Sequence, residues 1–158
     1  FACEVKNFDP LEYVENKKSI EIFDLTLNKR NGTIISSLQA DDPIVILDKV
    51  HITNVIYNLL DNANKYSPKS PIIKINSKNI KNGIEISVSD NGLGLSADQS
   101  KQVFEKFYRV PTGSVHNVKG FGLGLFYVKF ILKKHRGNII VKSKLNKGSE
   151  FIFWLPLK

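Results

Sequence analysis

The sequence predicts a single domain, residues 1–158, in which α-helices and β-strands are mixed along the chain. First, 158 residues with 42% hydrophobic side chains are enough for one sizeable core. Second, apolar residues recur at the helical period after Asp48 and again after Gly122. Third, short β-branched runs alternate with turn signals such as Asn82-Gly83. No segment is repeated, which excludes a repeat architecture.

The first half of the chain contains two predicted helices and two predicted strands. The first helix begins near Asp9-Pro10 and ends at Asn31-Gly32, a pair typical of helix C-termini. Short β-branched or apolar runs predict strands at Thr33–Leu38 and Pro43–Leu47. Asp48 is the expected N-cap of the second helix. The apolar residues of that helix form a stripe that we expect to be buried: Ile52, Val55, Ile56, Leu59, Leu60 and Ala63.

The second half contains a helix between two predicted hairpins. The strands of these hairpins are Ile72–Ser77 with Ile84–Ser89, and Asn138–Ser143 with Ser149–Leu155. Asn82-Gly83 is the expected turn of the first hairpin, and Asn146-Lys147-Gly148 that of the second. The helix Gly122–His135 is expected to end at Gly137. The polar stretch between Val110 and Gly120 indicates a mobile loop.

Charge and composition limit the classes of partner that the protein can have. The net charge of +8 admits nucleic acid, an anionic membrane surface or a polyphosphate ligand as a partner. The basic residues lie in short groups without interleaved aromatic residues, which favours a solvated surface, but a nucleic-acid-binding module remains the non-enzyme alternative. No apolar run approaches the roughly 20 residues of a membrane span. The single cysteine, Cys3, allows no internal disulfide.

The second helix carries asparagines where helix propensity disfavours them. Asn54, Asn58 and Asn62 lie four residues apart, on the same side as Asp61 and Lys65. A solvent-exposed polar face is the simpler interpretation. However, amide oxygens ligate hard cations, and amide and ammonium groups bind phosphate oxygens. This face is therefore also a candidate site for a nucleotide and a metal ion.

Two glycine-rich segments follow. Asp90-Asn91-Gly92-Leu93-Gly94 comes at the end of a predicted strand, where backbone can approach a ligand closely, although many such loops are simple turns. Gly120 to Leu125 opens the last long helix, whose N-terminal N–H groups can bind phosphates, although a plain hinge is equally compatible. Neither segment is a P-loop or a dinucleotide-binding fingerprint.

In combination, four segments resemble the conserved boxes of bacterial sensor histidine kinases. They correspond in order to the asparagine box, first glycine box, phenylalanine box and second glycine box: Asn58–Ser67, Asp90–Gly94, Phe104–Arg109 and Gly120–Leu125. Lys147–Phe151 is similar to the family's last glycine-containing turn. The resemblance extends to the ATP-binding fold shared with topoisomerase, mismatch-repair and chaperone ATPases. It implies a two-layer α/β sandwich with a mixed, mainly antiparallel sheet of about five strands, covered on one face by about three helices. An ATP lid is implied between the phenylalanine box and the second glycine box.

The resemblance also implies ATP and Mg²⁺ as cofactors and gives roles to individual residues. Asn58 and Asn62 would hold Mg²⁺, and Lys65 would contact phosphate. Tyr66 would lie near the base or ribose, and Asp90 would accept the adenine amino hydrogen. The other residues implied to bind the nucleotide are Gly92, Gly94, Leu95, Lys119, Gly120, Gly122, Leu123, Gly124, Leu125 and Ser149. Asn58 and Lys65 are also the implied catalytic residues. Arg109 is a further catalytic candidate, because a cation beside the lid could steady phosphate charge, as could Lys119, although a solvated surface position is equally compatible with both.

Two further expectations concern side chains near these boxes. Phe104 and Phe107 are expected to pack in the core rather than contact a ligand, because aromatic side chains mostly contribute buried area. His51, His116 and His135 lack the sequence context of the family's phosphoacceptor histidine. His51 and His135 are expected to be surface or capping residues.

The resemblance favours a kinase over an ATPase. Asn58 stands where related ATPases have a glutamate that activates water, and an amide cannot act as a general base at neutral pH. The expected function is the ATP-binding catalytic domain of a two-component sensor histidine kinase, acting on a histidine of an upstream dimerisation hairpin that this chain lacks. The implied partners are that hairpin and a response regulator receiver domain, without nucleic acid. The implied whole protein is a homodimeric, membrane-anchored sensor with this domain in the cytoplasm. Related ATPases and anti-sigma-type serine kinases remain alternatives.

Overall fold

The main structural element is a five-stranded mixed sheet. A computed structural model describes residues 6–8, 26–40, 45–68, 70–111 and 121–157. The sheet has the strand order β2-β4-β5-β7-β6, and β1 and β3 form a separate pair. The strands are β1 Lys6–Phe8, β2 Thr33–Leu38, β3 Val45–Leu47, β4 Ile72–Ile80, β5 Gly83–Asp90, β6 Asn138–Lys144 and β7 Gly148–Pro156. Among the described strands, β2 and β4 alone pair in parallel, so the sheet is mainly antiparallel, as predicted.

Helices cover one face of this sheet. The helices with full bounds are α1 Lys49–Tyr66, α2 Ala97–Gln102 and α3 Gly124–Lys134. Along β4, Ile73 and Ile75 are buried while Ile72 and Lys74 are exposed, which is the alternation of a strand with one covered face. The predicted two-layer α/β sandwich is confirmed.

The long helix α1 supplies much of the core. Its N-cap is Asp48, whose Oδ1 accepts a hydrogen bond from the N–H of His51 at 3.0 Å. All six residues of the predicted apolar stripe are buried, with at most 3% of their surface exposed. Full burial of an aliphatic side chain stabilises a fold by about 1.5–3 kcal/mol. The apolar face therefore offsets the poor helix propensity of the asparagines on the opposite face.

The hairpin of β4 and β5 differs from the prediction by one residue. Ile80 pairs with Gly83, so Lys81 and Asn82 form the turn and Gly83 already belongs to β5. A side chain at Gly83 would place its Cβ 2.3 Å from the carbonyl oxygen of Leu155. This glycine therefore allows close approach of a neighbouring strand instead of shaping the turn. The second hairpin forms where predicted, but its turn is also shifted by one residue: Lys144 pairs with Gly148, so the turn is Leu145 to Lys147 and Gly148 already belongs to β7. Asn146 in the turn and Gly148 both have positive φ.

Two other predicted elements are shifted. The predicted strand Pro43–Leu47 is observed as β3, which pairs with β1 instead of joining the main sheet. Helix α3 begins at Gly124, not Gly122, and at its end Arg136 has a φ of 59° while the N–H of Gly137 bonds to the carbonyl of Leu132 at 2.8 Å. Arg136 thus takes the left-handed position that was expected of glycine.

The first predicted helix lies mostly outside the described residues, which include only a helical turn at 26–28. Beyond that turn, Asn31 has a φ of 52°, in agreement with the predicted stop. Arg30, read from sequence as a solvated residue, instead donates to the carbonyls of Asn64, Ser67 and Pro68 at the C-terminal end of α1. Across the described ranges, no helix is long and apolar enough to cross a bilayer.

Candidate functional site

A cavity of about 320 Å³ lies between α1, the loop after β5 and the N-terminus of α3. Its size is within the range of small-molecule sites. It collects residues from distant parts of the sequence: Asn58, Asp61, Asn62, Lys65, Tyr66, Asp90, Leu93, Gly94, Leu95, Val103, Tyr108, Arg109, Val110, Phe121, Gly122, Leu123, Gly124, Leu125, Ser149 and Phe151. Polar groups of α1 thus face an otherwise largely apolar pocket.

The polar face of α1 forms one wall. The Nδ2 of Asn58 donates to the carbonyl of Asn54 at 2.7 Å, and its Oδ1 lies so close to α3 that a Cβ on Gly124 would be 2.8 Å away. One turn on, Lys65 Nζ pairs with Asp61 Oδ2 at 2.5 Å. This wall therefore presents neutral amide oxygens beside a balanced pair of charges.

The N-terminus of α3 forms the facing wall. The N-cap residue, Leu123, makes no side-chain capping bond within the described ranges, and the N–H groups of a first helical turn have no intrahelical partners. Gly122 has a φ of 69° and packs against the backbone of Phe107 and Tyr108. A helix N-terminus carries partial positive charge, so these groups can bind an anion such as phosphate.

Asp90 lies at the end of β5 and also lines the cavity. Its Oδ1 accepts hydrogen bonds from the N–H of Gly92 at 2.7 Å and of Ser149 at 3.3 Å. Its Oδ2 accepts none within the described part of the chain and can accept one from a ligand. Burial raises the pKa of this carboxyl, and the bonds from Gly92 and Ser149 oppose the shift.

Two glycines let the loops around Asp90 close up. A Cβ at Gly94, which has a φ of 65°, would lie 2.0 Å from the carbonyl oxygen of Lys144. A Cβ at Gly148, which has a φ of 92°, would lie 2.0 Å from the carbonyl oxygen of Asp90. Both positions exclude a side chain, so the first glycine box and the β6–β7 turn meet backbone to backbone.

Most of the sequence-predicted site residues meet at this cavity. Asn58, Asn62, Lys65, Tyr66, Asp90, Gly94, Leu95, Arg109, Gly122, Leu123, Gly124, Leu125 and Ser149 line it. Gly92 does not; its N–H instead holds Oδ1 of Asp90, and a Cβ there would lie 2.5 Å from the carbonyl oxygen of Tyr66. Lys119 and Gly120 lie outside the described residues.

Sequence reasoning missed seven lining residues: Asp61, Leu93, Val103, Tyr108, Val110, Phe121 and Phe151. Asp61 had a signal, since it lies four residues before Lys65 on the same helical face. Leu93, Tyr108, Phe121 and Phe151 had a positional signal, since they lie within the segments that resemble the family's boxes and last turn. Val103 and Val110 had none, because an apolar residue that lines a pocket follows the same pattern as one in the core.

The prediction for the phenylalanine box was half right. Phe104 is buried and packs edge-on against Phe151, with ring centroids 6.2 Å apart, so its core role is confirmed. Phe107 is 63% exposed, which makes its predicted core role wrong. Its φ is 65° and its N–H bonds to the carbonyl of Gly122 at 3.0 Å. This turn points the side chain outward while the backbone fixes the second glycine box.

The two described histidines have structural partners. His135 Nε2 accepts a hydrogen bond from the N–H of Asp48 at 3.0 Å, and its Nδ1 lies 2.9 Å from the carbonyl oxygen of Ile131. His51 Nδ1 lies 2.8 Å from the hydroxyl of Tyr127. These contacts confirm that both are capping or surface residues.

The α1 wall fits a hard cation held together with a phosphorylated ligand. In the described ranges, no three His, Cys, Asp or Glu side chains cluster closely enough to hold a metal ion by themselves. Asn58 and Asn62 offer amide oxygens at the cavity, with Asp61 beside them. Mg²⁺ is usually held by few protein oxygens and completes its shell with water and substrate phosphates. These donors suit that pattern better than a closed protein cage.

Comparisons with known proteins agree with this geometry. The family described as "Histidine kinase-, DNA gyrase B-, and HSP90-like ATPase" matches residues 47–158. The sensor protein RprX of Bacteroides fragilis is 47% identical over 158 residues, which are 99% of this chain and 30% of RprX. The adaptive-response sensory kinase SasA of Synechocystis is 34% identical over 139 residues, which are 87% of this chain and 36% of SasA. The chain therefore spans about a third of the length of these relatives.

Solved structures show the same relationship. The catalytic domain of the histidine kinase ThkA superposes with a TM-score of 0.83 at 25% identity, covering 97% of this chain and 95% of that domain. A structure of ThkA in complex with the response regulator TrrA superposes with a TM-score of 0.77 at 22% identity, covering 98% of this chain and 42% of that one. The chain belongs to the histidine kinase-, DNA gyrase B- and HSP90-like ATPase family and is an ATP-binding catalytic domain of the sensor histidine kinase type.

Proposed function

We propose that this domain binds Mg-ATP in the 320 Å³ cavity and transfers the γ-phosphate to a histidine of a dimerisation hairpin that precedes it in a longer protein. The observation that carries the proposal is the arrangement of three groups around one cavity. Asp90 offers an acceptor for an amino group, Asn58 and Asn62 offer amide oxygens, and the N-terminus of α3 offers N–H groups. These groups are suited, in the same order, to the base of a nucleotide, to a metal ion and to the phosphates.

The proposed roles follow from these positions. Asp90 Oδ2 accepts a hydrogen from the adenine amino group, while Leu95 and Tyr66 enclose the base and ribose. Lys65 exchanges its ion pair with Asp61 for the phosphates, and Arg109 faces the same cavity with a second positive charge. Asn58 and Asn62 hold Mg²⁺, which when bound neutralises phosphate charge. We also assign Lys119 and Gly120 to the phosphate end of the site, and Gly92 to holding Asp90.

Asn58 places an amide, not a carboxylate, beside the N-terminus of α3, and the one carboxylate of α1 at the cavity, Asp61, is ion-paired with Lys65. The Oδ1 of Asn58 lies beside Gly124, the first residue of α3, and its Nδ2 donates to the carbonyl of Asn54. An amide oxygen does not take a proton at neutral pH, so water attack is slow and the γ-phosphate is kept for another acceptor. Both described histidines are engaged in structural contacts, so neither suits the acceptor role.

The outer surface of α3 supports docking of the hairpin. Phe126 and Phe130 stack at a centroid distance of 6.4 Å, and Phe130 is 49% exposed. Leu123, which lines the cavity, is exposed on the same side of the helix, three residues before Phe126. An exposed apolar stripe beside the phosphate end is suited to the apolar face of a helical hairpin. The hairpin, a homodimeric membrane-anchored sensor and a response regulator, as in the ThkA–TrrA complex, are the partners we propose.

Phosphoryl transfer can be tested with γ-labelled ATP. The chain alone should neither label itself nor release phosphate quickly, because none of its three histidines has the sequence context of a phosphoacceptor. Mixed with or joined to its own upstream hairpin, it should produce a label on histidine that is acid-labile and alkali-stable. Rapid release of phosphate without an acceptor would instead support a related ATPase, and an acid-stable label on serine would support an anti-sigma-type kinase. Tight binding of nucleic acid with a steep salt dependence and no ATP binding would support the non-enzyme alternative.

A further inference from the structure

The hydroxyls of Ser143 and Ser149 form a pair close to Asp90 and connect the first glycine box with the β6–β7 hairpin. Ser143, on β6, does not line the cavity, whereas Ser149, on β7, does. The Oγ of Ser143 accepts from the N–H of Leu95 at 2.7 Å and lies 3.0 Å from the carbonyl oxygen of Gly148. The two serine Oγ atoms are 2.9 Å apart.

The hydrogens in this network can be assigned by counting donors. A hydroxyl has one hydrogen to donate and two lone pairs. The carbonyl of Gly148 cannot donate, so its contact with Ser143 is a hydrogen bond only if Ser143 donates. Ser143 then accepts from both Leu95 N–H and Ser149 Oγ–H, which uses its full capacity. Ser149 must therefore point its own hydrogen at Ser143 and away from the cavity.

We propose that Ser143 is a positioning residue that fixes the Ser149 hydroxyl as a hydrogen-bond acceptor toward the nucleotide base. Ser143 touches no ligand and acts only through Ser149. The inference deepens the proposed function and rests on it, because it concerns how the base of a bound nucleotide is read. It concerns the side of the base next to Asp90, since the Ser149 N–H bonds to Oδ1 of that residue.

The side of the pocket next to the base would then present hydrogen-bond acceptors only. Asp90 Oδ2 and Ser149 Oγ both present lone pairs. Adenine offers its amino group to Asp90, but its neighbouring N1 is an acceptor and cannot bond directly to an accepting hydroxyl. A water molecule that donates to both can join them. Hypoxanthine, the base of inosine, has an N1–H donor and could reach Ser149 directly, although its O6 is repelled by Asp90.

The test compares ADP and inosine diphosphate, each with Mg²⁺, by titration calorimetry. Ser143→Ala frees the Ser149 hydroxyl to donate to N1 of adenine, so the ratio of ADP affinity to inosine diphosphate affinity should rise about 2- to 10-fold, the worth of one hydrogen bond. A merely structural role would weaken both nucleotides equally. Ser143→Thr, which keeps the hydroxyl, should restore the wild-type ratio. Ser87→Ala is the matched control, because Ser87 contacts Asn76 and does not line the cavity.

Ser149→Ala provides a second test that does not depend on the fold of the Ser143 variant. If Ser149 only accepts, its loss leaves the ADP preference unchanged or raises it; a fall would show that Ser149 donates to adenine and would overturn the proposal. In the Ser149→Ala background, Ser143→Ala should no longer change the ratio. An unchanged ratio in Ser143→Ala itself would also refute the proposal. Absence of ADP binding by the wild-type domain would count against the proposed function instead.

Discussion

Replacing Asp90 with asparagine changes one hydrogen-bonding group of the base pocket while keeping its shape. In the wild type, Oδ1 accepts from the N–H groups of Gly92 and Ser149, and an asparagine amide oxygen can keep both bonds. At the position of the other oxygen, Oδ2, the variant of this cavity-lining residue has an NH₂ donor. The variant therefore presents a donor to the adenine amino group, which is also a donor.

The size of the effect follows from the lost bond. A hydrogen bond to a charged group contributes about 1.5–3 kcal/mol, and 1.4 kcal/mol is a factor of ten in affinity. Asp90→Asn should therefore weaken Mg-ATP binding by about 10- to 150-fold. Inosine triphosphate, whose O6 accepts, should bind the variant better than it binds the wild type. Calorimetric titration of both nucleotides measures the two effects, and circular dichroism checks that the variant is folded.

Asp90→Asn, which should weaken nucleotide binding, should raise the stability of the domain without nucleotide. Burial raises the pKa of Asp90 in the folded protein, so the folded state binds this proton more tightly than the unfolded chain. The stability contributed by protonation is full below the unfolded pKa and is lost as the pH rises through the folded pKa. At neutral pH the ionised carboxylate is thus a cost that asparagine removes. Without nucleotide, Asp90→Asn should have the higher free energy of unfolding at pH 7, and the difference should shrink on acidification.

Two results would refute this reasoning. Unchanged ATP affinity in a folded variant would show that Oδ2 of Asp90 does not contact the base. A variant less stable than the wild type at pH 7 would show that the hydrogen bonds to the charged Oδ1 outweigh its desolvation. Urea unfolding across this pH range, without nucleotide, separates the second question from the first.

Other substitutions test the α1 wall and the loops. Asp61→Asn releases Lys65 from a half-exposed ion pair and removes a charge that repels phosphate, so ATP without Mg²⁺ should bind about 2- to 5-fold tighter in titrations with chelator; equal or weaker binding would contradict this. Gly94→Ala should lower the free energy of unfolding by about 1–3 kcal/mol or more in urea, because its Cβ meets the Lys144 carbonyl; wild-type stability would show that the loop can move. Arg30→Lys should lower the melting temperature, since an ammonium cannot replace the fork that holds three carbonyls; an unchanged value would make the clamp dispensable.

The elements with a strong hydrophobic period could be predicted from the sequence. The stripe of α1 from Ile52 to Ala63 is buried as expected, because a helix that must cover a sheet has little freedom in which face it buries. The existence of the β6–β7 turn followed from Asn146 and Gly148, residues that tolerate positive φ, although Gly148 proves to be the first residue of β7. The six residues of α2 were missed, although the capping box formed by Ser96 and Gln99 marks its start.

The features that were missed depend on tertiary contact. Gly83 resembles a turn glycine in sequence, but the approach of Leu155 from a strand some 70 residues later explains it. Phe107 lies outward because its N–H bonds to Gly122, a partner that its own neighbours in sequence do not reveal. Arg30 looked like a surface cation, yet it binds carbonyls more than 30 residues away. No local pattern encodes these pairings.

Several residues of the candidate site have a side chain or conformation that local structural propensity disfavours. α1 carries asparagines in mid-helix, Asp90 holds a carboxylate partly out of water, and Gly94 and Gly148 leave room only for backbone. Each is unfavourable for folding alone, and each faces or shapes the same cavity. The buried stripe of α1 provides the stability that allows them, since one helix carries the core on one face and the site on the other. A substitution that stabilises the empty domain at Asp90 should therefore damage nucleotide binding, whereas one on the buried stripe should alter stability and leave the affinity of the folded protein nearly unchanged.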